Sequence, residues 1–299
     1  MVQFGISERY ILSLFPINTI FQFKGINYKV LIAGKPCPSK GECKTDIYVL
    51  TETETKDQVE FKISFKQINA DFLENKIKLE RAIDILGVNA QEIIKKATKS
   101  IRNTFEDDYL VYFKRFKRTK AKCIKLGWKF EFMNKISGEK SGTIPLTLEQ
   151  KINIYAGTNL PVDKKNCFVN GNVIENSGIA NYIIETHQYN QPLNYYLNKM
   201  VKIEDYASEQ NIYFACKALN YRVDENKWDG DRPLAVYVDW NLINKKLFAE
   251  IVYDNPLAVK GNQIGTNVRQ ILSQLEITSY NFNSLKQFLD ENIHINISQ

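Results

Sequence analysis

The fold is decided by the stretch KTDIYVLTETETKDQVEFKISFK, residues 44–66. Side chains alternate between the two faces of a strand, so its second half has one apolar and one polar face. The apolar face carries Val59, Phe61, Ile63 and Phe65, and the polar face carries Glu60, Lys62, Ser64 and Lys66. Together with the apolar run DIYVL and the polar turn between the two runs, this pattern predicts a hairpin that buries one face.

Similar patterns outside this hairpin predict further strands and helices. Strands are expected in 19–33, 123–135, 234–240 and 246–254, and a loop rich in Gly, Pro and Ser covers 34–44. Helices are expected in 6–15, 70–87 (capped by Asn69), 90–105, 206–219, 264–275 and 284–291. Strands mixed with helices in this way predict an α/β or mixed α+β fold.

The chain is long enough for one large domain or two modest ones, at 299 residues. Changes of composition divide it into three predicted segments. Residues 1–105 form the first part of the core with the hairpin, and 106–200 form a basic, Asn-rich region. Residues 201–299 form an α/β segment that either shares the core sheet or contacts a ligand.

Composition excludes several classes of protein. The net charge of +6 permits nucleic-acid binding without requiring it. Five scattered cysteines do not indicate a disulfide framework and favour a reducing cytoplasm. Two histidines argue against zinc sites and Ser-His-Asp chemistry. No apolar run is long enough for a membrane span, and the first residues do not resemble a secretory signal.

The hairpin also carries a possible catalytic set. Asp46 stands at the start of the first strand, and Glu60 and Lys62 lie two residues apart on the second. If the strand register brings Asp46 beside Glu60, two carboxylates can hold Mg²⁺ while a lysine stabilises charge on a phosphate. An isolated Glu-x-Lys is more typical of a solvated sheet surface, so the catalytic hypothesis depends on the register that would bring Asp46 beside it.

This arrangement resembles the PD-(D/E)XK nucleases, in which an Asp precedes a Glu-x-Lys on the adjacent strand. The runs GKPCPSKGECKTDIYV and VEFKISFKQINADFLENK look like those of type II restriction endonucleases within that superfamily. The resemblance implies a restriction-endonuclease-like core, a mixed sheet flanked by helices, with an additional DNA-recognition region. It further implies a catalytic Asp46, Glu60 and Lys62, with metal ligands Asp46, Glu60 and, from the first helix, Glu8. The metal is Mg²⁺, for which Mn²⁺ can substitute.

Two basic stretches are predicted to contact DNA. Lysine and arginine neutralise phosphates, and Asn, Gln and Arg can bond base edges. The predicted contacts are Lys114, Arg115, Lys117, Arg118, Lys120 and Lys122 in the middle segment, and Lys260, Asn262, Gln263 and Arg269 in the last. A solvated basic face and turn-forming Asn residues are the alternatives.

The functional hypothesis is therefore a type II restriction endonuclease that hydrolyses duplex DNA at a short sequence, acting as a homodimer or as a monomer. The first alternative is a structure-specific or nicking nuclease of repair or phage defence. The second is a DNA-binding protein without catalysis. The acidic group of Asp229, Asp231 and Asp239 offers a rival metal site, although a structural strand pair is the preferred interpretation there.

Overall fold

The computed structural model describes residues 4–67, 72–75 and 77–297. Within them the helices are α1 (Phe4–Ser13), α2 (Leu79–Leu86), α3 (Ala90–Lys99), α4 (Arg102–Glu106), α5 (Leu148–Ala156), α6 (Val162–Lys165), α7 (Leu193–Lys199), α8 (Ile203–Glu209) and α9 (Gly261–Gln274), followed by a 3₁₀ helix at Phe282–Phe288.

The strands of the same residues complete a mixed α+β fold, as the sequence predicts. They are β1 (Ile20–Phe23), β2 (Ile26–Gly34), β3 (Ile47–Thr53), β4 (Gln58–Lys66), β5 (Phe72–Glu74), β6 (Val111–Tyr112), β7 (Cys123–Met133), β8 (Ser141–Thr143), β9 (Cys167–Val169), β10 (Asn172–Ile174), β11 (Tyr182–Glu185), β12 (Met200–Lys202), β13 (Tyr213–Arg222), β14 (Lys227–Trp228), β15 (Val236–Ile243), β16 (Lys246–Val252) and β17 (Ile295–Asn296).

The chain divides into two compact units rather than the three predicted consecutive segments. Unit 1 contains the described residues of 1–73 and 146–210, and unit 2 contains those of 74–145 and 211–299. The chain therefore leaves unit 1 after β4 and returns to it before α5. The predicted boundaries near residues 105 and 200 differ because β11 and β12 join the hairpin's sheet from the predicted middle segment.

Unit 1 is built on a six-stranded mixed sheet in the order β1-β2-β3-β4-β11-β12. All neighbours are antiparallel except β4 and β11, which run parallel. The predicted hairpin is therefore confirmed, and it lies at the centre of the sheet. The last segment, 201–299, supplies only the end of β12 to this sheet, as Val201 and Lys202.

One face of the unit 1 sheet packs under α1 and α7. The predicted alternation is confirmed there, because Phe61, Ile63 and Phe65 are buried in the core that α1 and α7 cover. Phe61 is the centre of an aromatic cluster, with ring-centroid distances of 5.0 Å to Tyr28 and 5.5 Å to Tyr182. This packing holds the β3–β4 hairpin rigidly, as a positioned site requires.

Unit 2 contains a second sheet, in the order β14-β13-β7-β15-β16, with α9 packed against it. The predicted strands at β7, β15 and β16 and the predicted helix at α9 are confirmed. Gly127 in β7 has a φ of 146°, and a Cβ there would lie 2.5 Å from the Val236 carbonyl oxygen. Only glycine fits this close approach of β7 to β15.

Two predicted helices are wrong in part. The helix predicted over 206–219 ends at Glu209, and Tyr213–Arg222 forms a ten-residue strand instead. In the helix predicted over 70–87, Phe72–Glu74 is extended and the helix begins only at Leu79. The proposed cap, Asn69, lies outside the described residues. In both regions, strand pairing outweighs local helix propensity, which is worth only tenths of a kcal/mol per residue.

Candidate active site

Asp46 lies just before β3, beside the last residues of β4. Its amide donates to the Ile63 carbonyl oxygen at 2.9 Å, and its carboxylate Oδ2 accepts from the Phe65 amide at 2.7 Å. The carboxylate thus accepts the hydrogen bond that, in a regular sheet, the Phe65 amide would donate to a carbonyl oxygen of the neighbouring strand. This contact fixes Asp46 at the end of the hairpin remote from its turn.

The strand register does not bring Asp46 beside Glu60. Glu60 pairs with Leu50 in the register of β3 and β4, and Ile63 pairs with Ile47. Leu50 is four residues beyond Asp46, which corresponds to about 13 Å of extended strand. The predicted convergence of Asp46, Glu60 and Lys62 on one point is therefore corrected: Asp46 lies apart from Glu60, and Lys62, opposite Tyr48, forms its ion pair with Glu60.

Glu60 and Lys62 form a cluster of their own near the middle of β4. The Lys62 Nζ lies 3.3 Å from Glu60 Oε2, and the Tyr48 hydroxyl donates to Glu60 Oε1 at 2.6 Å. Asn181 holds this part of the strand, because its Oδ1 accepts from the Lys62 amide at 2.8 Å. Burial, followed by the bond to Glu60, raises the pKa of Tyr48, so the phenol stays protonated as a donor. This ion pair needs no metal to be satisfied.

Other charged groups surround Asp46 instead. Glu8 of α1 is near enough to act electrostatically on Asp46, and so are Lys35, from the end of β2, and Lys66, the last residue of β4. Glu8 also pairs with Lys35, which raises the pKa of that lysine. The Asp46 site therefore comprises Glu8, Lys35, Asp46 and Lys66, drawn from one helix and three strand ends.

The Asp46 carboxyl is hard to ionise in this setting. Burial, with the negative charge of Glu8 as a smaller cause, raises its pKa to about 6, although the Phe65 amide, Lys66 and Lys35 act to lower it. A carboxyl whose pKa is pushed up by burial and by a second carboxylate is a frequent feature of functional sites. A bound cation would relieve both effects.

The oxygen ligands at the Asp46 site suit Mg²⁺, the metal that the resemblance to PD-(D/E)XK nucleases implies. Two neighbouring carboxylates, Glu8 and Asp46, supply the hard oxygen ligands that Mg²⁺ prefers, and this ion usually keeps several waters. No cluster of three or more His, Cys, Asp or Glu side chains suited to a metal occurs in the part of the chain that the structure describes. A magnesium ion held by these two carboxylates, with waters as its remaining ligands, fits the residues present.

Two residues of the Asp46 site, Lys35 and Lys66, were missed by sequence reasoning. The signal for Lys66 was available in the turn. Thr53 and Asp57 close it with a backbone bond of 3.0 Å, and the two strands run back from Thr55 in equal steps. Counting those steps places Asp46 opposite Ser64, so Lys62 and Lys66, two residues to either side on the same face, are its diagonal neighbours. Of these two lysines, Lys66 is the one that acts electrostatically on Asp46. No local pattern marks Lys35.

The predicted DNA-contacting residues of the middle segment lie in unit 2, and half of them are already paired. Lys117 pairs with Glu139, Lys120 with Glu225 and Lys122 with Asp224. The exposed residues Lys114, Arg115 and Arg118 make no ion pair with another described residue. Lys114, Arg115 and Arg118 are thus the part of this stretch that is open to phosphate.

Replacing Lys114, Arg115 and Arg118 together by Ala tests this prediction. If they contact phosphates, DNA affinity should fall, and the slope of log affinity against log salt should become shallower by about 2 to 3. Fluorescence anisotropy with a short duplex at several salt concentrations measures both quantities. The matched control is the triple Ala variant of the paired lysines Lys117, Lys120 and Lys122. Equal affinities and slopes in wild type and the first variant would remove this stretch from the DNA interface.

The predicted contacts of the last segment are engaged within unit 2. The Lys260 amide donates to Gln263 Oε1 at 2.8 Å at the start of α9. Asn262 Oδ1 is buried and makes no hydrogen bond within the described residues. Arg269 stacks over Trp228, with its guanidinium carbon 4.7 Å from the ring centroid. Lys260, Gln263 and Arg269 are thus engaged in helix capping or packing. Contact of these three residues and Asn262 with DNA stays a prediction.

Two members of the rival acidic group have polar partners within unit 2. Asp229 pairs with Arg222 and accepts from the Asn220 amide at 3.1 Å. Asp239 lies opposite Glu250 in the β15–β16 register, and its Oδ2 accepts from Asn241 at 3.0 Å. These contacts are consistent with a structural strand pair, and the choice between that interpretation and a metal site stays a prediction.

Comparisons with known proteins add nothing to this geometry: no family model, curated protein or solved structure matches the chain. In the described residues, no helix combines the length and the apolar character that crossing a bilayer requires.

Proposed function

We propose that this chain is a Mg²⁺-dependent endodeoxyribonuclease of the type II restriction class, with its active centre at Asp46, Glu8 and Lys66. The observation that carries the proposal is the buried Asp46 carboxyl at the end of a rigid hairpin, with the Glu8–Lys35 ion pair and Lys66 near enough to act on it electrostatically. The central mixed sheet with helices on it is consistent with a restriction-endonuclease-like core, and five free cysteines are consistent with action in the cytoplasm.

Each residue of the proposed active centre would have a separate role. Asp46 and Glu8 would hold Mg²⁺, which supplies a polarised phosphate and a bound water of lowered pKa. The Lys66 ammonium would stabilise the negative charge that develops on the phosphate oxygens during attack. Lys35 is a positioning residue, because its ion pair with Glu8 holds that carboxylate toward Asp46.

The first experiment is a digest of plasmid and phage DNA by the purified chain with Mg²⁺, with Mn²⁺ and with a chelator. Discrete fragments that appear only with metal are expected, because cleavage at a short sequence gives defined lengths. Smeared, nicked or junction-dependent products would favour a repair or phage-defence nuclease instead. Ends mapped symmetrically about a palindrome, together with a dimer mass in solution, would fit two-fold recognition.

One observation favours the alternative of DNA binding without catalysis. Lys35 already neutralises Glu8, so that carboxylate can be satisfied without a metal. Calorimetric titration of Mg²⁺ into the protein distinguishes the two cases. Heat that disappears in Asp46→Asn supports the metal centre, whereas DNA binding with no metal heat and no cleavage supports the alternative.

A further inference from the structure

Two cysteine thiols face each other inside unit 1. Cys43 lies in the loop that leads to Asp46, and Cys167 begins β9; the first is half-buried and the second is buried. The two side chains are near enough for each to shift the pKa of the other. Each also reaches a carbonyl oxygen, Cys43 that of Thr45 at 3.3 Å and Cys167 that of Lys164 at 3.2 Å.

Gly178 marks the point where the two side chains meet. A Cβ at Gly178 would lie 2.8 Å from Cys167 Sγ and 3.0 Å from Cys43 Cβ. The Gly178 backbone is held on both sides, since its oxygen accepts from the Lys44 amide at 3.0 Å and its amide donates to the Lys165 oxygen at 2.8 Å. The segments that carry the two thiols are thus both hydrogen-bonded to the backbone of Gly178, which holds the pair in place without a covalent link.

A third cysteine in the same unit serves as a contrast. Cys37 is exposed and exchanges two backbone hydrogen bonds with Phe168, of 2.9 and 3.0 Å. Neighbouring residues of a strand face opposite sides, so Phe168 and its partner Cys37 point outward where Cys167 points inward. Cys37 is therefore accessible to reagents, and it acts on Cys167 only as a smaller electrostatic cause.

We propose that Cys43 and Cys167 are a modification site, at which a small disulfide such as oxidised glutathione converts the two thiols into one intramolecular disulfide. In the first step, the thiolate of one cysteine attacks the small disulfide, forms a mixed disulfide and releases one molecule of the small thiol. In the second step, the other cysteine's thiolate attacks the protein sulfur of that mixed disulfide and releases the second thiol. The protein loses two electrons and two protons, which the two released thiols carry.

The environment of the pair predicts how this reaction behaves. Burial raises the pKa of Cys43 to about 12 and also raises that of Cys167. Because the thiolate is the attacking species, oxidation is slow at neutral pH and accelerates about tenfold per pH unit in the alkaline range. The product closes a loop of more than about 100 residues, which corresponds to a rise in unfolding midpoint on the order of 10 °C.

The test uses the full chain, incubated with oxidised glutathione at pH 8.5 and then digested without reduction. Mass spectrometry should find the cross-linked peptide of Cys43 and Cys167, two thiols fewer after denaturation, and a raised unfolding midpoint that a reductant reverses. Cys43→Ser and Cys167→Ser should abolish the cross-link and the shift, whereas Cys37→Ser should leave both intact.

Other outcomes overturn the proposal. Glutathione attached to Cys37 alone, with Cys43 and Cys167 still reduced after prolonged oxidation, would show that the pair is only packed together. The same conclusion follows if a cross-link forms between other cysteines. The peptide map of the wild-type chain decides the matter by itself should a serine variant fail to fold. The outcome is independent of the nuclease proposal, because no step involves DNA or metal.

Discussion

Asp46→Asn is expected to make the protein more stable above pH 6 while abolishing metal-dependent cleavage. The folded-state pKa of Asp46, about 6, lies above the ordinary value of 3.8. The protonated carboxyl is thus the form that the fold favours. The corresponding stability is fully present below pH 3.8 and is lost as pH rises through 6. The loss amounts to roughly 3 kcal/mol.

The asparagine side chain avoids that loss because it carries no charge, and its carbonyl oxygen can still accept the bond from the Phe65 amide. The stability advantage of Asp46→Asn should therefore build up between pH 4 and pH 6 and stay constant above it. Thermal unfolding followed at pH 4, 6 and 8 without metal measures the change. Asp57→Asn, on the exposed turn of the same hairpin, is the matched control and should give no such rise.

The same substitution should reduce the cleavage rate at least about 1,000-fold, since a neutral amide is a poor ligand for Mg²⁺. In the wild-type chain, activity should rise with pH around 6 as Asp46 ionises. More Mg²⁺ should move that midpoint to lower pH, because the metal competes with the proton. A variant that is destabilised at pH 8, or that still cleaves, would contradict the description of Asp46 as a buried, metal-binding carboxylate.

Local patterns were enough to predict the hairpin and several strands, but not the composition of the site. The apolar alternation of β4 and the run of β7 are properties of neighbouring residues, so periodicity predicts them. Glu8 reaches Asp46 only because α1 packs on the sheet, which no local pattern encodes. Tyr213–Arg222 was misassigned for a related reason, since ten residues of pairing with β7 decide its conformation.

The two lysines of β4 offer the sharpest test of where the centre lies. Lys62 and Lys66 are both half-buried on the same strand, four residues apart, and each is expected to tolerate methionine, which keeps much of the packing. Lys62 binds Glu60, whereas Lys66 acts on Asp46. Lys66→Met should therefore lower the cleavage rate about 100- to 1,000-fold, and Lys62→Met should change it only a few-fold.

A second readout separates electrostatic action from a structural defect. Removing the positive charge of Lys66 takes away one of the groups that lower the pKa of Asp46, so the pH midpoint of residual activity should move upward. Lys66→Arg keeps the charge and should keep the midpoint. Lys62→Met should leave it unchanged, since Lys62 neighbours Glu60 instead. Unfolding midpoints of all three variants check that the fold is intact.

The opposite ranking of the two lysine variants would move the active centre to Glu60 and Lys62. If Lys62→Met and Glu60→Gln abolish cleavage while Lys66→Met does not, catalysis takes place at the Glu60–Lys62 pair in the middle of β4. Asp46 would then need another register of β3 against β4 to take part, and every cross-strand pair from Ile47–Ile63 to Glu52–Gln58 would have to shift with it. Bringing Asp46 opposite Glu60 would take a shift of four residues, which is about 13 Å of strand and would break all of these pairings. The packing of Phe61 against Tyr28 and Tyr182 opposes that rearrangement, so Lys66 is the lysine on which the proposed centre depends.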